Sequence, residues 1–273
     1  MAALPFQREI DYPESDGRPL GETERHRQVI VDLICGLQRR YREIPNVYVG
    51  GNMFLYYEKG NRSAVVCPDV FVVKGVGKET RNTFKVWEEG GRVPCLIIEV
   101  TSASTSDEDL VDKKGKYLRL GVEEYVLFDP LAEYLSPPMQ GFQLRSGRYV
   151  AMPPQEDGSL ASATSGLLLR REGERLRLVN ATGEPLLWVE ETEAQLLREA
   201  EARRAAEARA AQEAEARHHE AVARRAAEAR AAQEAEARHR EAAARQAAEA
   251  RATAAEEELT RLRRELEDRP RSR

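Results

Sequence analysis

Two short apolar runs, each carrying a single carboxylate, constrain this chain more than anything else in it. The first is Cys67-Pro68-Asp69-Val70-Phe71-Val72-Val73, and the second is Pro94-Cys95-Leu96-Ile97-Ile98-Glu99-Val100-Thr101-Ser102. Each is short enough for a buried strand. An ionised carboxylate in such a setting is costly unless it is paired or binds a metal. Asp69 and Glu99, on runs able to lie side by side, therefore point to a hard-cation site.

The order of elements around these runs favours an α/β fold. Residues 1–20 are polar and Pro-bearing and read as an irregular arm. A helix is expected from Thr23, a suitable N-cap, because Ile30, Leu33, Ile34, Leu37 and Tyr41 recur at helical spacing; Pro45 is expected to end it. Short β-type runs follow at 47–49, 53–57 and 64–73, with a short helix expected near Phe84–Trp87. Pro94–Val100 is the best candidate for a central strand. Ser106 or Asp107 can cap a helix running to about Leu120, Gly121 terminates it, and Glu124–Phe128 is a further strand closed by Asp129-Pro130. Strand, helix, strand is a βαβ-like unit, so the core is expected to be a mixed sheet with flanking helices. From Leu131 to Val189, short runs separated by turn residues read as β-hairpins extending that sheet.

Composition changes abruptly near Glu193, after which the chain is almost wholly Ala, Glu, Arg and Gln. That gives three parts: the arm (1–20), a globular domain (21–190) and a helical tail (191–273). Glu193–Arg273 contains 18 acidic and 18 basic residues, so the net charge of −5 belongs to the first part. An acidic total does not favour nucleic-acid binding, although a local basic groove remains compatible with it. Cys35, Cys67 and Cys95 are odd in number, widely spaced and set in apolar runs, as expected for buried thiols in a reducing compartment. Three of the four histidines lie in the tail, which leaves His26 alone in the globular part and argues against a histidine-based metal site or a Ser-His-Asp triad. No apolar stretch is long enough to span a bilayer, and the expected location is cytoplasmic with no membrane partner.

The tail repeats itself. Arg203–His218 reappears almost letter for letter as Arg224–His239, an offset of three heptads. Alanine falls on nearly every heptad position, so no unique seam emerges from it, and leucines mark one only at the ends (Leu196, Leu259, Leu262, Leu266). Alanine content and i→i+4 pairs such as Glu213–Arg217, Glu220–Arg224 and Glu234–Arg238 favour helix in any case. A homo-oligomeric coiled coil and a charge-stabilised solitary helix both fit; burial of the terminal leucines favours self-association.

Asp69 and Glu99 could hold one or two Mg²⁺ ions, which polarise a phosphodiester and activate water. A lysine nearby would supply a point charge. Lys113 shares a helical stripe with Leu110 and Tyr117, while Lys114 neighbours Leu110 and Leu118, so spacing alone leaves the two open. On the residues alone, Pro-Asp at a strand start also serves as an ordinary turn, and a glutamate at a strand end as a lysine's partner.

Pro68-Asp69-Val70, Ile98-Glu99-Val100-Thr101-Ser102, Lys113-x-x-x-Tyr117 and Gly121-Val122-x-Glu124-Tyr125-x-x-x-Asp129-Pro130 form an ordered set over residues 20–190. The set resembles the bacterial Uma-two-type family of restriction endonucleases, within the PD-(D/E)XK nuclease superfamily. The resemblance implies a restriction-endonuclease-like α/β core, a divalent cation (Mg²⁺ or Mn²⁺), and hydrolysis of nucleic acid, with DNA the expected substrate. It makes Asp69 and Glu99 the metal ligands. Thr101 departs from the pattern, standing where the superfamily's Glu-x-Lys motif would place lysine; Lys113 would then act from the helix. His26 falls where relatives often have histidine and is given no role, and Asp129 reads as structural. The rival readings are a nuclease fold that binds nucleic acid without cutting, and a coiled-coil scaffold with a vestigial head.

Overall fold

The computed structural model of the chain describes residues 10–15, 23–102 and 108–267. The first helix, α1 (Glu24–Arg40), starts where the sequence places it: Thr23 Oγ1 accepts from the His26 amide at 3.2 Å. It stops at Arg40, one turn before Pro45, with Tyr41 as its C-cap.

The strands, in chain order, begin with β1 (Val47–Gly50), β2 (Leu55–Tyr56), β3 (Val65–Val66), β4 (Val70–Lys74), β5 (Phe84–Lys85) and β6 (Leu96–Val100). A π-helical turn, Glu108–Lys113, leads into α2 (Lys114–Leu120), and Gly121 closes that helix at φ 86°. The expected caps, Ser106 and Asp107, lie outside the described residues. Then come β7 (Glu124–Phe128), β8 (Met139–Arg145), β9 (Arg148–Ala151), β10 (Leu160–Ser162), β11 (Leu167–Glu172) and β12 (Arg175–Val179).

The main sheet runs β1-β4-β6-β7-β8-β9. Only β6 and β7 are parallel, joined by the crossover through α2; the other neighbours are antiparallel. The sheet is therefore mixed, with helices against it, as the order of elements implied. Alternation along β6 divides the core between its faces. Leu96, Ile98 and Val100 join Ile30, Leu33 and Leu37 of α1, while Ile97 joins Tyr117 of α2 and Tyr125 of β7. Strands buried on both faces read as unbroken apolar runs, which is why β4, β6 and β7 were prominent in the sequence.

Three expectations need correction. Phe84–Trp87 is not helical: β5 pairs in parallel with β2, and the amides of Phe84 and Val86 reach Phe54 O and Tyr56 O. The 64–73 run is two strands, because Cys67-Pro68-Asp69 interrupts it; β3 joins the small sheet β3-β2-β5 and β4 the large one. Proline has no amide to donate to a ladder. The C-terminal hairpins extend the main sheet only through β8 and β9, whereas β10-β11-β12 form a separate antiparallel sheet whose apolar face joins the α1 side of the core. The described part of the arm, residues 10–15, has no helix or strand; Tyr12 packs at 5.0 Å from both Tyr56 and Trp87, and Tyr56 Oη donates to Pro13 O.

The last helix, α3 (Val189–Glu267), is continuous over 79 residues. Two compact units divide the chain at Leu196 and Leu197. The first turns of α3 belong to the first unit, where they are clamped by charge. Arg175 pairs with Asp32 and Glu190, Arg177 with Glu191 and Glu172, and Arg39 reaches Thr192 and Leu187 O. Both guanidinium groups lie over the Trp188 ring, at 3.6 and 3.3 Å. In the second unit, Glu213–Arg217 and Glu234–Arg238 form ion pairs as expected. Arg224, however, takes Glu228 rather than Glu220. Among the described residues, no helix is long and apolar enough to cross a membrane.

Candidate active site

Asp69 stands immediately before β4, and Glu99 is the fourth residue of β6. The β4–β6 ladder pairs Val70 with Ile98, so Asp69 and Glu99 come next in register. At that point the side chains take over from the ladder. Asp69 Oδ2 accepts from the Val100 amide at 2.7 Å, and the Asp69 amide points to Glu99 Oε2 at 3.3 Å. Pro68 cannot donate, and its carbonyl instead takes the Asn52 amide at 2.9 Å.

Glu99 is wholly buried on the α2 face of the sheet. Tyr117 Oη donates to its Oε1 at 2.6 Å and Lys113 Nζ to its Oε2 at 3.1 Å. Residues four apart share a helix face, and this spacing delivers both donors to one carboxylate. Burial, then the charge of Glu99, holds the Tyr117 phenol well above its ordinary pKa, so it remains a donor. Lys114 turns elsewhere, with Nζ 3.3 Å from the centre of the Phe142 ring. Of the two lysines that spacing left open, only Lys113 reaches the carboxylates.

Asp69 is held from the other side of the sheet as well. His26 Nε2, from α1, lies 3.5 Å from Oδ2. Burial alone would raise the Asp69 carboxyl, but the nearby His26 imidazole, the charge of Lys113 and the Val100 amide outweigh it and bring it below the ordinary value. Thr101 Oγ1 is buried and has no hydrogen-bond partner among the described residues. A cleft of about 610 Å³ between the start of α1, the end of β6 and the 130–134 loop is lined by His26, Thr101 and Ser102.

The structure thus brings Asp69, Glu99 and Lys113 into one cluster. It adds His26, which the sequence analysis noted but gave no role, and Tyr117, which entered there through a helical stripe and the Lys113-x-x-x-Tyr117 motif without a role of its own. Gly51 also matters, because a Cβ there would lie 2.2 Å from Asp69 O; the Gly50-Gly51 pair was its one visible signal. Two other buried carboxylates are fully occupied by structure. Asp129 accepts from the amides of Leu131, Tyr134 and Leu135, and Glu124 from Ser162, Ala163 and Thr164.

The donor set suits a hard cation. Asp69 and Glu99 offer carboxylate oxygens, and Asp69 Oδ1 accepts no hydrogen bond among the described residues, which leaves it open to a ligand. Among the described residues, no group of three or more His, Cys, Asp and Glu side chains converges as a metal site.

A mixed sheet that sets an aspartate at one strand's start beside a glutamate near the next strand's end, with a helix lysine on the pair, defines a restriction-endonuclease-like class. Within that class, the chain belongs to the Uma2 family: residues 1–172 match the family's model, described as "Putative restriction endonuclease". Among solved structures, the chain is similar to a protein of Anabaena variabilis described as "a putative nuclease belonging to DUF820". Identity is 13%, the TM-score is 0.39, and the match covers 53% of this chain and 75% of that one. No curated protein matches the chain.

Proposed function

We propose that the first unit is a divalent-cation-dependent endonuclease acting on nucleic acid, with DNA as the substrate, and that the tail serves self-association or tethering. Family membership supports the nuclease reading, and one geometric observation carries it further. Lys113 places its ammonium, from a helix, on the buried carboxylate of Glu99, two residues before the threonine that stands where the resemblance would put a strand lysine.

Asp69 and Glu99 would hold Mg²⁺ or Mn²⁺. A cation bound there neutralises phosphate charge and lowers the pKa of a water nucleophile. The chain's own groups do the rest. The Val100 amide fixes Asp69, and Tyr117 Oη fixes Glu99, so both carboxylates are oriented before substrate arrives. Lys113 Nζ, already beside Glu99 Oε2, can donate to the attacking water or to a non-bridging phosphate oxygen as charge develops during in-line displacement. His26 restrains Asp69 from the α1 side. The cleft lined by His26 and Thr101 is the side from which we would expect the strand to approach.

Incubating the full chain with supercoiled plasmid and with single-stranded DNA, with Mg²⁺ or Mn²⁺ and with chelator, tests this reading. Cutting that requires the cation is the expected result. Binding of DNA without cutting under any of these cations would favour the non-cleaving module instead.

A further inference from the structure

Every described side chain of α3 from Leu197 onward is exposed. Leu196, Leu197, Val222, Leu259 and Leu262 are each more than half accessible. The alanines do not say which face would cover them, but the charges do. Leu196 and Leu259 are nine heptads apart, and Leu262 falls three positions beyond the second. Written through the tail, this frame puts only leucine, alanine and arginine on the Leu196 column up to Leu259. The Leu262 column, from Glu199, holds only glutamate, alanine and leucine. No glutamate stands on the first column there, and no arginine on the second.

We infer that α3 pairs with α3 of a second copy as an antiparallel two-stranded coiled coil in which Leu196 faces Leu262. In a parallel, in-register pair each column faces itself, so every seam arginine meets its own copy. Reversing one helix sets the arginine column against the glutamate column. In the Leu196–Leu262 register, Arg217 faces Glu241, Arg224 faces Glu234, Arg238 faces Glu220 and Arg245 faces Glu213. Between these layers, Ala210 meets Ala248, Ala227 meets Ala231 and Ala206 meets Ala252. Two layers are unlike, Arg203 with Ala255 and Leu259 with Glu199; neither opposes like charges, and both charged side chains have stems able to cover apolar surface. Sliding by one 21-residue repeat keeps central charge pairs but sets Leu196 against Glu241 or Leu262 against Arg217, so the terminal leucines choose the register. The two Leu196 residues of such a pair would stand about 100 Å apart.

This deepens the self-association reading of the tail and is independent of cleavage. Sedimentation equilibrium on the full chain, with helicity checked by circular dichroism, tests it. The expected mass is twice the 30.8 kDa chain. Arg217→Glu puts glutamate against Glu241 twice in the symmetric pair and should weaken association by about tenfold or more. Adding Glu241→Arg should restore it, because the antiparallel layer is then Glu against Arg again. A parallel pair would not be rescued, since residue 217 would still face itself between Glu213 and Glu220. A monomer at every concentration would overturn self-association altogether. A dimer that Arg217→Glu leaves unmoved, or that Glu241→Arg fails to rescue, would overturn the antiparallel register alone.

Discussion

Lys113 shows what a single residue can contribute from an unexpected backbone position. Its ammonium and the Tyr117 hydroxyl occupy the two oxygens of Glu99, while Lys114, one residue on, lies against Phe142. Lys113→Met should therefore lower metal-dependent cleavage by about 10²–10³-fold, the usual loss of a transition-state donor. Lys114→Met should leave the rate within about threefold, since that ammonium lies over a half-buried ring rather than on the carboxylates. Single-turnover rates on one plasmid substrate separate the two. Asp69 and Glu99 were legible in the sequence because a carboxylate inside an apolar run breaks the pattern of its strand. Spacing did not decide between the lysines, because both have apolar neighbours three or four residues away; only the resemblance, through Lys113-x-x-x-Tyr117, pointed to Lys113. His26 was noted but given no role for a related reason: its approach to Asp69 joins α1 to the start of β4, and no local pattern encodes such a contact.

Among the elements, β4, β6, α2 and β7 could be read from periodicity, since each is apolar over its whole length or on one clear face. The short strand β5 could not, and β3 was not separable from β4 within the 64–73 run: two residues carry no period, and pairing partners decide their conformation. The root of α3 is another case where the partner decides. Hydrogen bonding from Arg177, with a smaller contribution from the Trp188 amide, lowers the Glu191 carboxyl from 4.5 to about 2 despite the opposing effect of burial. A folded-state pKa below the unfolded one stabilises the fold above about 4.5, and that contribution fades as pH falls toward 2. Thermal melts from pH 7 to pH 2.5 should accordingly show the melting temperature falling through this window. Glu191→Gln should lower it at pH 7 and flatten the acid limb; an acid limb unchanged by the substitution would remove Glu191 from the clamp.

At the scale of the whole molecule, the chain combines a domain whose chemistry is buried with a helix whose described residues beyond Leu196 are all exposed. The first was recognisable from an ordered series of motifs. The second was recognisable from composition as helix, and only the separation of arginine from glutamate on its two heptad columns gave it a direction. The central claim concerns the first unit, and cleavage of plasmid and single-stranded DNA by the intact chain and by Glu99→Ala at matched purity tests it most directly. Cutting that requires Mg²⁺ or Mn²⁺ and disappears in Glu99→Ala is the predicted result. Equal cutting by both proteins, or none by the intact chain with either cation, would contradict the assignment of Glu99 as a ligand in a working nuclease.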